Sequence, residues 1–207
     1  MINIIFVAVA LVLLWRADIP NLINTLRHNT TVLHLFLAST LVITLLAFVK
    51  TGATIAMPLH FLGLASVSLI LGQRFALIAC TISALLLLVT QKINLEQLGV
   101  LLVGGMMLPV LAVDYLRQIL ISKTSKTWQF ITFLVALSAI ISLLVKTFVL
   151  AGYYHFVDGI PLSQIIDGYI SLSFLFWIPE IMLNGTVILT LIQHKPHWVS
   201  SYNPQQS

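Results

Sequence analysis

The chain has 207 residues, of which 59% are hydrophobic and 8% are charged, whereas soluble domains average about 45–50% and about 25%. This composition excludes a soluble globular domain and predicts an integral membrane protein. Ten Lys and Arg against six Asp and Glu make the chain basic, but the cations are scattered singly and form no run that could follow a nucleic-acid backbone. We therefore expect the lipid bilayer, and no nucleic acid, as a partner.

Seven apolar segments follow one another along the chain, and each is a candidate membrane-spanning helix. They lie at about 1–15, 31–49, 58–72, 74–91, 97–120, 128–151 and 168–192. A helix needs about 20 apolar residues to cross a bilayer, so the chain can hold six or seven such helices and no soluble domain. We expect one all-α transmembrane domain over residues 1–207, a bundle of about seven helices, with six as the alternative.

The segments between these helices carry further structural signals. The first apolar segment lacks a basic start and a cleavage pattern before Arg16, which predicts a retained helix and not a signal peptide. Residues 16–30 read as a polar connector at the membrane interface, anchored by Trp15. The joint at 72–74 is so short that the third and fourth helices should form an antiparallel hairpin. Residues 194–207 are expected to be a short, loosely ordered tail.

The distribution of Lys and Arg predicts the orientation of the bundle. One side carries seven of them and the other carries Lys50 and Lys92; the seven are Arg16, Arg27, Arg74, Arg117, Lys123, Lys126 and Lys195. The positive-inside rule then places the N-terminus outside and the C-terminus in the cytoplasm. Met1, His60 and the loop 152–167 consequently share the outer face.

Ionisable residues within apolar segments need a partner, a cavity or a position near the surface, because each costs about 2.5–3.5 kcal/mol on insertion scales. Asp114 lies three residues before Arg117, which predicts an ion pair at the interface. Lys146 is placed near the outer end of the sixth helix, where its long side chain could reach the membrane surface.

A polar stripe marks the last apolar segment. Glu180 lies about twelve residues into it, roughly 18 Å from the outer end and thus near mid-membrane. Ser173, Trp177, Glu180 and Asn184 share one helical face that should point into the bundle. Such residues usually bond helices together, and they also suit a direct ligand or coupling role. Pro179 removes a backbone donor beside Glu180 and predicts a kink.

His60 follows Pro58, which suits the first turn of a helix, so its imidazole is expected at the outer mouth of the bundle where a cation can arrive. A lone histidine of this kind more commonly has a structural role. The surrounding residues PLHFLGL resemble the HLLGG segment of the CbiM/NikM family, the membrane substrate-specificity components of energy-coupling-factor transporters for cobalt and nickel. The stretch IPEIMLNGTVILTLIQHKPHWV is similar to the PE-x-x-LNG-x-x-LTLL ending of a shorter permease branch of that family.

The resemblance implies a square-planar metal site built from nitrogen donors. In the family these are the N-terminal amine, the backbone nitrogen and imidazole of a histidine at position 2, and the HLLGG histidine, a set that suits Ni(II) or Co(II). Met1 and His60 match the first and last of these positions, but Ile2 replaces the histidine at position 2. We hypothesise that His155 supplies the missing nitrogen, with Asp158 beside it as an oxygen donor.

The resemblance implies a substrate-binding permease subunit in a bacterial inner membrane that takes up cobalt or nickel and has no permanently bound cofactor. Since the sequence has no Walker motif, it would depend on separate ATPase subunits and a coupling transmembrane subunit. Two alternatives stay open. One is a membrane-embedded enzyme that uses Glu180 as acid or base with His60 as partner, although no H-E-x-x-H or G-x-S-x-G motif is present. The other is an assembly or regulatory subunit that binds no metal.

Overall fold

The computed structural model describes residues 2–48, 50–51, 59–60, 63–120 and 129–202, and these are almost entirely helical. The first half contains α1 (Ile2–Trp15), α2 (Ile19–His28), α3 (Thr30–Phe48), the two-residue strands β1 (Lys50–Thr51) and β2 (Leu59–His60), α4 (Leu64–Leu71) and α5 (Gln73–Val89). The second half contains α6 (Leu95–Val100), α7 (Leu108–Leu120), α8 (Ala136–Phe156), α9 (Leu162–Gln164), α10 (Ser171–Leu175) and α11 (Trp177–His194). π-Helical turns at Leu101–Met107 and Ile165–Ile170 join successive helices into longer rods, a third at Phe130–Val135 leads into α8, and a 3₁₀ turn spans Pro196–Trp198.

Four helical stretches among the described residues are long and apolar enough to cross a membrane: Thr30–Phe48, Leu95–Leu120, Thr132–Phe156 and Leu162–His194. The pair α1 and α2, bent by 57°, makes a fifth if it counts as one span, and α5 is a shorter apolar helix. The expectation of a helical protein with several membrane-length helices agrees with this architecture.

Residues 16–30, which the sequence predicts to be a polar connector, consist mostly of the helix α2. Pro20 stands in the first turn of α2, where its missing N–H is no loss, and Arg27 and His28 stand in the last turn, where positive charge favours the helix dipole. Asp18, with a left-handed φ of 56°, precedes the helix. The polar composition of this segment concealed a helix that buries only Leu22.

The third predicted helix, 58–72, is wrong at its start. His60 lies in β2, which pairs antiparallel with β1 so that His60 faces Lys50 and Leu59 faces Thr51, and α4 begins only at Leu64. The chain enters α4 through Gly63 in the left-handed conformation, with φ of 58°, so the helix does not continue back to His60. The expected position of His60 in a first helical turn is therefore incorrect.

α4 forms the centre of the bundle. Its eight residues are all buried, and α3, α5, α7, α8 and α11 pack around it. At 1.5 Å per residue it is about 12 Å long, less than half of a bilayer's hydrocarbon core. α5 follows after the single residue Gly72, a joint as tight as the sequence predicts. The small residues that line α4 and α5, namely Ala65, Ser66, Ala79 and Ser83, are buried within the chain itself.

Part of the C-terminal segment packs against the bundle, which differs from the loose tail that the sequence predicts. The amides of Ser200 and Ser201 donate to the carbonyls of Ile70 and Leu69, both at 3.1 Å, and the Ser200 hydroxyl also donates to Leu69 O at 3.1 Å. The last carbonyls of a helix have no partner within it. The tail is therefore held because it supplies the donors that the end of α4 lacks.

We expect Ser200→Pro to destabilise the protein by about 1–3 kcal/mol, because it removes the N–H that Ile70 O accepts and leaves a buried carbonyl unpaired. Val199 has φ of −93° and ψ of 99°, a conformation that a following proline tolerates. Thermal unfolding of the detergent-purified protein measures the loss. The control Ser200→Ala loses only the hydroxyl bond and should cost less; equal losses in the two variants would contradict the proposed cap.

Candidate functional site: a buried polar cluster at the start of α4

The polar stripe of the last helical rod faces the interior. Ser173, Glu180 and Asn184 have exposed fractions of 1%, 1% and 0%, and Trp177 is partly buried against the core. Helical structure is interrupted at Phe176, between α10 and α11, three residues before the proline that predicts a kink. The burial agrees with the expected orientation of the stripe, and the Ser173 hydroxyl is used locally, donating to Tyr169 O at 2.7 Å.

Glu180 and Asn184 cap the first turn of α4 from a different helix. The Gly63 amide donates to Glu180 Oε1 at 2.7 Å, and the Ser66 amide donates to Asn184 Oδ1 at 2.8 Å. Asn184 Nδ2 donates to Glu180 Oε1 at 3.0 Å and to the Glu180 carbonyl at 2.7 Å. The N-cap residue of α4 is a glycine and has no side chain to satisfy the unpaired amides of the first turn. Two buried side chains of α11 do so instead.

Lys146 supplies the charge opposite Glu180. It is fully buried, with an exposed fraction of 0%, and it interacts electrostatically with Glu180. The expectation that Lys146 reaches the membrane surface is wrong, because it lies in the interior of the span Thr132–Phe156, about 15 Å from its nearer end at 1.5 Å per residue. Charged residues at this depth in a membrane pair with one another inside the bundle, and Lys146 is placed to pair with the Glu180 carboxylate.

Two members of the cluster escaped the sequence reasoning. Ser66 bonds to Asn184 through both its amide and its hydroxyl, the hydroxyl donating to the Asn184 carbonyl at 3.3 Å. Lys146 was assigned to the surface. The signal that could have found it is the spacing of Ser138, Ser142 and Lys146, each four residues apart and each buried, which marks an inward polar face on α8.

Of the proposed metal ligands, the structure describes the side chain of His155 alone. Met1 lies outside the described residues, and for His60 only the backbone in β2 is described. His155 Nδ1 lies 3.0 Å from the carbonyl oxygen of Ile160; a carbonyl only accepts, so Nδ1 carries the proton and Nε2 is left with a lone pair for a ligand. Asp158 lies in the loop after α8, where partial loss of solvent around its carboxyl raises the pKa of that group. Over the described part of the chain, no group of three or more His, Cys, Asp or Glu side chains is arranged to hold a metal ion.

Contacts between helix ends show which of these residues share one end of the bundle. Asn3 Nδ2 donates to Leu95 O at 2.7 Å, and the Gly99 amide donates to Asn3 Oδ1 at 2.9 Å. In a regular helix the Gly99 amide would donate directly to Leu95 O, so the side chain of Asn3 is inserted between these two groups. The ring of Phe6 lies 6.2 Å from that of Tyr153. The start of α1, the start of α6 and the end of α8, which carries His155, therefore meet at one end of the bundle.

The strand pair belongs to the same end. The Lys92 ammonium lies 5.2 Å from the ring centre of Phe48, which places the end of α3 beside the segment that leads into α6. β1 follows Phe48 directly and pairs with β2. The backbone of His60 thus lies at the end of the bundle that carries His155 and the beginning of α1, an arrangement that the charge count also predicts.

Asp114 forms the local ion pair that its spacing predicts. Arg117 donates to Asp114 Oδ1 from Nε at 2.9 Å and from Nη2 at 2.7 Å, and Gln118 donates to Oδ2 at 2.8 Å. Both partner residues lie on α7. The hydrogen bonds that Asp114 accepts from Arg117 and Gln118 therefore stay within one helix, whereas Glu180 connects three helices.

Comparisons of the chain with protein-family models, with curated proteins and with solved structures found no match. Over the residues that the structure describes, the protein is helical with four or five stretches of membrane-spanning length, which is compatible with a membrane protein.

We expect Lys146→Met to destabilise the protein by about 3–5 kcal/mol, because it leaves the Glu180 carboxylate buried without a counter-charge. The double variant Lys146→Met/Glu180→Gln removes both charges, keeps an oxygen acceptor for Gly63 and should recover most of the loss. Thermal unfolding in detergent compares the two. If the double variant is as unstable as the single one, the interaction between the two charges is not what stabilises this cluster.

We expect Gly99→Ala to destabilise the packing of α1 by about 1–3 kcal/mol, as overpacking in a dense contact does. A Cβ at Gly99 would lie 3.0 Å from Phe6 Cβ and 2.9 Å from the Asn3 carbonyl oxygen. Gly152→Ala is a matched control, since a Cβ there meets nothing within 4 Å. Unfolding temperatures of the two variants measure the difference, and equal temperatures would contradict the close approach of α1 to α6.

Proposed function

We propose that the protein is the substrate-binding membrane subunit of an energy-coupling-factor transporter that takes up a divalent transition-metal ion such as cobalt or nickel. The observation that carries this proposal is α4, a buried eight-residue helix whose first turn lies inside the bundle against Glu180. Substrate sites of many membrane transporters are formed by discontinuous helices that end within the membrane. The resemblance of PLHFLGL and of the C-terminal segment to the CbiM/NikM family supplies the substrate class.

The proposed ligands for the substrate metal are His60, the amine of Met1 and His155. His60 stands three residues before Gly63, so the segment that carries it leads directly into the first turn of α4. His155, at the end of α8, offers Nε2 in place of the imidazole that is missing because position 2 is Ile2, and Asp158 offers an oxygen from the loop that follows α8. Nitrogen donors of this kind suit Ni(II) and Co(II) better than hard cations such as Mg²⁺.

The proposal includes the assembly in which the subunit works. The chain would lie in a bacterial inner membrane as a bundle of about seven helices, with the N-terminus outside and the C-terminus in the cytoplasm. Separate ATPase subunits and a coupling transmembrane subunit would provide the energy, because the sequence has no Walker motif.

The enzyme alternative has less support. A general acid or base must reach the reacting group, but Glu180 Oε1 already accepts from the Gly63 amide and from Asn184, while Lys146 offsets the charge. The remaining alternative, an assembly subunit that binds no metal, differs from the proposed function in one measurable property, which is metal affinity.

Isothermal titration of the detergent-purified protein with Ni(II), Co(II) and Zn(II) tests the proposal. We expect binding of at least one of these ions and an affinity loss of about tenfold or more in His60→Ala and in His155→Ala, because each removes a nitrogen donor. His194→Ala is a matched control, since His194 Nδ1 also lies 3.0 Å from a carbonyl oxygen, that of Thr190, yet His194 belongs to the end of α11.

Two results would count against the metal-receptor function. Absence of binding for all three ions would leave the assembly-subunit alternative. Unchanged affinity in both His60→Ala and His155→Ala, with wild-type binding intact, would show that a metal is bound elsewhere.

A further inference from the structure

We propose that Glu180 is a positioning residue for the substrate site: its carboxylate fixes where α4 begins and so holds the segment that carries His60. This inference rests on the proposed function for the identity of the substrate. It goes beyond that function because Glu180, Asn184 and Lys146, which are not among the proposed metal ligands, are assigned a role in positioning them.

The geometry of the connection is short and direct. Glu180 Oε1 accepts from the amide of Gly63 at 2.7 Å, and Gly63 is the residue at which the backbone turns left-handed, with φ of 58°, to enter α4. His60 precedes it by three residues. A hydrogen bond at that turn restrains the direction in which the preceding segment leaves the helix, since Gly63 would otherwise have several allowed conformations.

The same cluster is fixed from its other side. Asn184 Oδ1 accepts from the Ser66 amide at 2.8 Å, and Asn184 Nδ2 donates to Glu180 Oε1 at 3.0 Å. The two side chains that cap α4 are therefore hydrogen-bonded to each other. Lys146 on α8 interacts electrostatically with Glu180 and is fully buried. α8 ends near His155, the second proposed imidazole ligand. The cluster therefore connects both proposed ligand-bearing segments to one carboxylate.

A purely structural role for Glu180 makes a different prediction from a positioning role. If Glu180 only bonds helices together, its loss lowers global stability and speeds exchange throughout the bundle. If it positions the substrate segment, its loss releases the backbone around Gly63 and weakens metal binding while the remaining helices stay protected.

The test compares two double variants that are both neutral at the cluster, Lys146→Met/Glu180→Gln and Lys146→Met/Glu180→Ala. The first retains an acceptor oxygen for the Gly63 amide and the second does not, so neither leaves a buried charge unpaired. Hydrogen exchange measured by mass spectrometry follows peptides that contain Gly63 and, for reference, peptides of α7. Titration with Ni(II) and Co(II) follows metal affinity in the same preparations.

We expect the Gln variant to resemble the wild type, and the Ala variant to exchange about tenfold faster at Gly63 but not in α7. We also expect the Ala variant to bind the metal about tenfold more weakly. Asp114→Asn is the control for loss of a buried carboxylate, because the hydrogen-bond partners of Asp114 lie on its own helix, and it should change neither readout at Gly63.

The outcomes separate this inference from the proposed function. If the wild type binds no metal, the proposed function fails and the positioning role fails with it. If the wild type binds metal but the Ala and Gln variants have equal affinity, or equal exchange at Gly63, the positioning role alone is overturned. Faster exchange throughout the chain in the Ala variant would assign Glu180 to helix bonding only.

Discussion

The structure depends on one constraint, which is that a short helix buried on all sides must find hydrogen-bond partners for both of its ends. α4 has eight buried residues and no capping side chain of its own at Gly63. An unpaired backbone group costs several kcal/mol where water is absent. The C-terminal quarter of the chain meets this demand twice, with Glu180 and Asn184 at the first turn and with Ser200 and Ser201 at the last carbonyls.

This constraint explains why charged residues occur in the middle of apolar helices. A carboxylate is a stronger acceptor for a backbone amide than a neutral oxygen, and the positive end of a helix dipole favours it further. The same carboxylate is costly to bury alone, so Lys146 on α8 offsets its charge. Three helices are thereby joined at one point.

The placement of this cluster relates packing to the proposed transport function. The end of the bundle that carries the backbone of His60 and the side chain of His155 is connected to Glu180 through Gly63 on one side and through α8 on the other. In the proposed function, occupancy of that end by a metal would act on the start of α4 through Gly63. Discontinuous helices suit such a role because their ends move without breaking a continuous ladder of helical hydrogen bonds.

The sequence by itself determined the helical class, the inward face of Ser173, Glu180 and Asn184, and the local pair of Asp114 with Arg117, because periodicity and short spacings decide these features. Only the tertiary structure decided that α4 starts at Leu64, that Lys146 faces Glu180 and that Ser200 and Ser201 cap the end of α4. Each of these rests on a hydrogen bond or a charge interaction between residues about 35 to 130 positions apart. The sequence contains these donors and acceptors but does not show which of them pair. The unpaired N–H and C=O groups at the ends of a buried helix bond to whichever groups the folded chain brings next to them.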